Sequence, residues 1–181
     1  MEGDRRSVNP LQTPLQILAG GDELVTKKGT VFLDTNIFII DLRYQRDPHY
    51  GINRAFLDKV RVDRNGKTSI VNLLELCGIL SFNLNRRQLD NLFHYFPARY
   101  SVNIFPEDYL TLETVQFGMR QLFEMISRKL SFADALLLQH IESHFPRVSA
   151  LITWDADHFR KKSPLRILTP EDYLSHDSLA L

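Results

Sequence analysis

Two short apolar runs in this chain end on an aspartate: Val31-Phe32-Leu33-Asp34 and Ala150-Leu151-Ile152-Thr153-Trp154-Asp155. Their β-branched and aromatic content is that of buried strands, and each run stops at a polar turn. As parallel neighbours in one sheet, the two strands deliver both carboxylates to one edge. In open α/β sheets, ligands bind in the crevice beyond the carboxyl ends of the strands. Two further acids, Glu75 and Asp134, interrupt otherwise apolar stretches between the runs. Four converging carboxylates do not all stay ionised without a cation, so the pattern points to a metal site.

The 181 residues suit one domain with a real core. Lys+Arg and Asp+Glu both number 22, so the formal net charge is zero. Nucleic-acid binders are usually basic, so this balance counts mildly against one, although an acidic cluster can offset a basic rim. The single cysteine, Cys77, rules out an internal disulfide and fits a reducing cytoplasm. It lies in the apolar run from Leu73 to Leu80 and reads as a packed thiol, not a nucleophile. No stretch approaches the roughly 18 apolar residues of a membrane span, and the N-terminus shows no signal-peptide core.

Residues 1–29, with Pro10, Pro14, Gly20, Gly21 and Gly29, read as an extension carrying one short element at Leu15-Gln16-Ile17-Leu18. A strand at about 30–34 leads into a helix whose start is residues 37–42. Tyr44 to Arg54, polar and holding Pro48 and Gly51, reads as a loop. Ser69 caps a helix running to about 81, and Arg86 to Phe96 forms another that ends before Pro97. Ser101 to Phe105 is strand-like. The pentapeptide Pro106-Glu107-Asp108-Tyr109-Leu110 recurs as Pro170-Glu171-Asp172-Tyr173-Leu174 after the strand-like Leu165–Thr169. Proline followed by acids is good first-turn chemistry, so both copies are expected to open helices after strands. Ser131-Phe132-Ala133-Asp134 resembles a capping box for a helix to about His144. Strands alternating with helices imply an α/β fold, a mostly parallel sheet covered on both faces.

Each acid also has a plainer reading. Asp34 before Thr35 and Asn36 is a helix cap or turn former. Glu75 stands between apolar neighbours, where a charge is rarely buried unless paired or bound to metal, and nearby arginines are the alternative partners. Asp134 is the acid of a cap; a carboxylate in a first turn is held rigid and stays ionised beside the helix dipole. Asp155 and Asp157 are turn acids in the plain reading, with Asp155 favoured as a ligand because it comes straight off the strand and Asp157 as an auxiliary. The acids are too far apart in sequence for a local loop such as an EF-hand. Only the tertiary fold assembles them. An all-oxygen set suits Mg²⁺ or Mn²⁺ over zinc, and the histidines and cysteine form no zinc-spaced pair.

Four motifs in order resemble those of the PIN domain, the metal-dependent nuclease family that includes VapC-type toxins. They are Leu33-Asp34-Thr35-Asn36-Ile37-Phe38, Ser69-Ile70-Val71-Asn72-Leu73-Leu74-Glu75-Leu76, Ser131-Phe132-Ala133-Asp134-Ala135-Leu136, and Ile152-Thr153-Trp154-Asp155-Ala156-Asp157-His158-Phe159. A last strand and Thr169-Pro170-Glu171 follow, and the resemblance covers about residues 30–175. It implies a three-layer α/β/α nuclease domain over 30–181, with 1–29 as an extension. It places the family's acids at Asp34, Glu75, Asp134 and Asp155, with Thr35 and Asn36 supporting the first. It implies hydrolysis of phosphodiester bonds in single-stranded or structured RNA with Mg²⁺ or Mn²⁺. It also implies a homodimer, and the role of toxin beside an antitoxin protein. The departures are the long N-terminal extension and the long polar stretch Tyr44–Arg64.

Arg43, Arg46, Arg86, Arg87, Lys161 and Lys162 are candidates for holding a phosphate backbone, against the plain reading of solvated surface. Tyr44, Tyr50 and Trp154 are candidates for stacking on bases, with Trp154 read as core because it lies within the strand-like run. Two other functions compete. One is a catalytically silent PIN-like module binding RNA or a protein. The other is a haloacid-dehalogenase-type phosphatase, which also ends its first strand on an aspartate but needs a second acid where this chain has Asn36.

Overall fold

Strand β1 (Thr30–Leu33) is the centre of a five-stranded, all-parallel sheet in a computed structural model that describes residues 29–111, 117–144 and 148–178. The order is β3 (Asn103–Phe105), β2 (Gly66–Ser69), β1, β4 (Val148–Ile152), β5 (Ile167–Leu168). The chain leaves β1 toward β2 and β3 on one side and returns to β4 and β5 on the other. The β1/β4 boundary is therefore a topological switch point, where a crevice opens at the strand ends. Leu33 pairs level with Ile152, and the Asp34 amide donates to the Ile152 carbonyl at 3.0 Å. The two aspartate-terminated runs are parallel neighbours, as expected.

Alternation along the strands builds the two faces. Val31, Leu33, Ala150 and Ile152 point into one core with α1 (Thr35–Arg43), α2 (Tyr50–Asp63), α3 (Ile70–Leu80) and α4 (Arg86–Tyr100). Phe32 and Leu151 point the other way, against α5 (Met119–Ser127), α6 (Phe132–His144) and α7 (Ala156–Phe159). The result is the three-layer α/β/α arrangement. Helix α8 (Pro170–Ser178) closes the chain, and its Tyr173 packs edge-on against Phe56 of α2. No described helix is long and apolar enough to cross a membrane.

Several expectations need correction. The loop read over Tyr44–Arg54 stops at His49, because α2 starts at Tyr50. Gly51 and Pro48 dominate the local sequence, but Phe56, Leu57 and Val60 bury one helical face, and tertiary packing outweighs propensity. Helix α4 does not end before Pro97 but runs on to Tyr100. Proline forfeits its own backbone bond, while Phe96 and Tyr100 on either side pack against Phe38 at ring separations of 4.7 and 5.0 Å. The helix stops one residue later, where Ser101 turns left-handed at φ 53.

The repeated pentapeptide forms two different structures. Pro170 opens α8, whereas residues 106–111 form turns. The difference lies one residue upstream. Thr169 accepts from the Asp172 amide at 3.1 Å, and its own amide donates to the Asp172 carboxylate at 3.1 Å. Phe105 in the matching place has no oxygen to cap with. Strand β2, Gly66-Lys67-Thr68-Ser69, is not among the expected strands, because it carries almost no apolar signal. Thr68 instead donates its hydroxyl to the Leu33 carbonyl at 2.8 Å, and a Cβ on Gly66 would stand 2.5 Å from Val60 Cγ1. Trp154 lies beyond β4, not within it. The extension and its element at 15–18 fall outside the described residues, Gly29 excepted.

Candidate active site

Asp34 sits where β1 turns into α1 and is nearly buried, with 8% of its surface exposed. Its carboxylate accepts from the Thr35 amide at 2.7 Å, Asn36 Nδ2 at 2.9 Å and the Thr153 hydroxyl at 2.8 Å. Asn36 Nδ2 also donates to Thr153 Oγ1 at 2.8 Å, which locks the β1 and β4 ends together. Burial is the largest influence on the Asp34 carboxyl and pushes it up to about 7. The bonds from Thr153 and Thr35 act in the opposite direction, and the nearby charges of Asp134 and Glu75 add to the rise.

Glu75 is tied to this centre through one hydroxyl. Thr35 Oγ1 donates to Glu75 Oε2 at 2.5 Å and accepts from Asn72 Nδ2 at 2.9 Å. Ser69 caps α3 by accepting from the Asn72 amide at 3.1 Å, and its hydroxyl donates to Asn72 Oδ1 at 2.6 Å. The cap thus fixes both the helix and the amide that faces Thr35. Asp134 accepts from the Ser131 hydroxyl at 2.6 Å, while its amide donates to the same oxygen at 3.2 Å. The capping reading and the proximity to Asp34 hold together. His158 Nε2 lies 3.2 Å from Asp134 Oδ2, an ion-pair distance without hydrogen-bond alignment.

Glu75 is exposed, not buried among its apolar neighbours as expected, and so are the remaining acids. Asp155 is exposed at the start of α7, and its side chain caps nothing. Asp157 is exposed and paired with Arg160 at 2.8 Å. Glu75 and Asp134 thus stand close enough for their charges to act on Asp34, while Asp155 and Asp157 face solvent beyond the end of β4. As the side chains stand, no three acids, histidines or cysteines among the described residues are close enough to hold an ion.

Of the basic candidates, Arg86 pairs with Asp90 at 3.0 Å and Lys162 donates to the Lys129 carbonyl at 2.9 Å. Arg43, Arg46, Arg87 and Lys161 are exposed. Cys77 is half-buried, and burial pushes its thiol up, as a packed thiol requires. Sequence reading passed over Asn72, Thr153 and His158. Asn72 had a signal as the third helical residue after a serine cap. Thr153 and His158 had only their adjacency to Asp155 and Asp157.

No family model matches the chain, and no curated protein matches it in sequence. Solved structures do. The structure of FitAB bound to an IR36 DNA fragment is 18% identical, covers 78% of this chain and 95% of that one, and has a TM-score of 0.50. That of VapBC2 from Rickettsia felis, bound to a DNA fragment from their promoter, is 20% identical, covers 77% and 98%, and has a TM-score of 0.48. With its parallel sheet, its helices on both faces and its switch-point acids, the chain has a PIN/VapC-like fold.

Proposed function

We propose that this protein is a metal-dependent endoribonuclease, acting on single-stranded or looped RNA. One observation carries the reading. Asp34 is buried at the switch point with two acids pressing on it, and its carboxyl is pushed up to about 7. A divalent cation relieves that cost directly. The donors fit a hard ion, being carboxylate oxygens with threonine and asparagine side chains around them. Asp34, Glu75, Asp134 and Asp155 would hold Mg²⁺ or Mn²⁺, with Asp157 as an auxiliary. Such an ion supplies Lewis acidity and a lowered pKa for water at the phosphodiester.

The chain's own residues prepare the site. Asn36 and Thr153 fix the Asp34 carboxylate, Thr35 holds Glu75, and Ser131 holds Asp134. Arg43 and Arg46 offer charge to a phosphate backbone. Unpaired RNA fits an edge crevice better than a stiff duplex, because its bases splay out. The domain spans 30–181, and the setting is cytoplasmic, in line with the lone reduced cysteine. The motif resemblance supports a toxin role with an antitoxin partner, and a homodimer; the likeness to FitAB, solved bound to a DNA fragment, is one of fold.

The test is cleavage of an unstructured RNA in Mn²⁺ beside the same assay in EDTA. Cutting in Mn²⁺ that EDTA abolishes supports the reading, and cutting that survives EDTA sinks it. The standing alternative is a catalytically silent PIN-like module that binds RNA or protein. What favours it is that, as the side chains stand, no three acids, histidines or cysteines among the described residues are close enough to hold an ion. A Mn²⁺ titration with no binding would decide for that module.

A further inference from the structure

The rim of this edge carries an aromatic pair that the carboxylate site does not use. β4 ends at Ile152, the Thr153 hydroxyl holds Asp34, and the next residue is Trp154. Its backbone amide donates to Asn36 Oδ1 at 3.2 Å, and its indole Nε1 donates to Asn53 Oδ1 at 2.8 Å. Asn53 is itself fully buried and donates Nδ2 to the Ile37 carbonyl at 2.9 Å. The indole is therefore held rigid, half-buried against the core. His49 stacks on it, with ring centroids 4.1 Å apart and an interplanar angle of 26°.

His49 is exposed, precedes α2 and forms no side-chain cap bond. Its backbone is pinned instead: its amide donates to Asp47 Oδ1 at 2.8 Å, and its carbonyl accepts from the Asn53 amide at 2.9 Å. The ring is thus set over Trp154 by its backbone and by stacking, in a residue that is exposed overall.

We infer that the His49–Trp154 stack is a platform for an unpaired nucleobase of the RNA strand that crosses the carboxylate edge. This rests on the ribonuclease reading for the identity of the strand. A rigid, exposed ring face loses little entropy on stacking, and every base has a π-face, so the platform is sequence-tolerant. Arg43 at the end of α1 and Arg46 on the loop before His49, both exposed, supply charge for the flanking phosphates. A purely structural surface stack is the plain alternative. The position of Trp154, between Thr153 and Asp155, favours the functional one.

The test uses the whole protein in EDTA, so that nothing is cut. A short unstructured RNA and an abasic oligonucleotide of equal length are the probes. Trp154 is the chain's single tryptophan, so its emission reports on the platform directly. We expect the RNA to shift that emission and the abasic probe to leave it unchanged. His49→Ala should weaken RNA binding about tenfold without affecting the abasic probe, and His49→Phe should restore it. Unmoved emission, absent RNA binding, or a His49→Ala loss equal for both probes would each overturn the platform. A platform that binds RNA while Mn²⁺ supports no cutting would overturn the nuclease reading alone. Cutting without base-dependent binding would overturn the platform alone.

Discussion

Helix α1 carries two buried aspartates, and they are treated in opposite ways. Asp41, 3% exposed, sits against Arg54 Nη1 at 3.0 Å and the Tyr100 hydroxyl at 2.8 Å, with Arg99 at 3.8 Å. Asp34, one end of the same helix away, has neutral donors only. No lysine or arginine among the described residues lies within ion-pair distance of it, and the nearby charges that act on it are acids. A structural buried charge is given its counter-charge by the chain. One left without it is either neutral or waiting for a cation from outside. Donors from three places converge on Asp34: Thr35 and Asn36 on α1, Asn72 on α3 at 3.4 Å, and Thr153 after β4.

The largest effect expected from this contrast is on pH. The Asp34 carboxyl is raised from 3.8 to about 7, so the folded metal-free protein keeps a proton that the unfolded chain releases. The Asp34 contribution to stability is full below about pH 4 and is lost as pH rises to about 7, by up to about 4 kcal/mol. Urea unfolding in EDTA across that window should show the fall in the parent and a flatter profile in Asp34→Asn. Parallel profiles would remove the distinction between the two aspartates.

Next in size, Asp41→Ala strands the buried Tyr100 hydroxyl, while the exposed Arg54 guanidinium turns to water, at a cost of about 2 kcal/mol in chemical unfolding. Mn²⁺ affinity should not change; a loss would mean that the two ends of α1 are not separate. Smaller still, Thr35→Val removes the hydroxyl that holds Glu75. We expect Mn²⁺ affinity to fall about tenfold by calorimetry while the fold is kept. An unchanged affinity would show that Glu75 needs no positioning. The smallest effect tests the paired pentapeptides. Thr169→Ala should cost about 1 kcal/mol by loss of the α8 cap, with no effect on metal binding.

The sites where polar caps and apolar runs coincide were legible in the sequence. The Asp34 and Asp155 strand ends, the Ser69 cap and the Ser131–Asp134 cap all announce themselves locally. Helix α2 did not, because Pro48 and Gly51 are stronger local signals than the three apolar residues that bury it. Strand β2 was hidden because its pairing rests on Thr68 bonding a neighbour and on Gly66 letting Val60 approach. Trp154 packs half-buried against the core, as its sequence context suggests, but its fixation depends on Asn53, a hundred residues away in sequence. Asp155 shows the limit for the site. Coming off a strand beside Asp34 sets its edge, while the turn into α7 sets how far out its side chain stands.

The most direct measurement is thermal unfolding of the parent and Asp34→Asn, each in EDTA and in a Mn²⁺ series. Asparagine is as good a helix cap as aspartate; the variant keeps the cap and the side-chain size, and removes the charge together with one of the two acceptor oxygens. The account predicts that Mn²⁺ raises the parent midpoint with concentration and leaves Asp34→Asn unmoved, while in EDTA near neutral pH the variant is at least as stable as the parent. A variant that unfolds well below the parent in EDTA, or equal stabilisation of both by Mn²⁺, would contradict it and make Asp34 a structural cap.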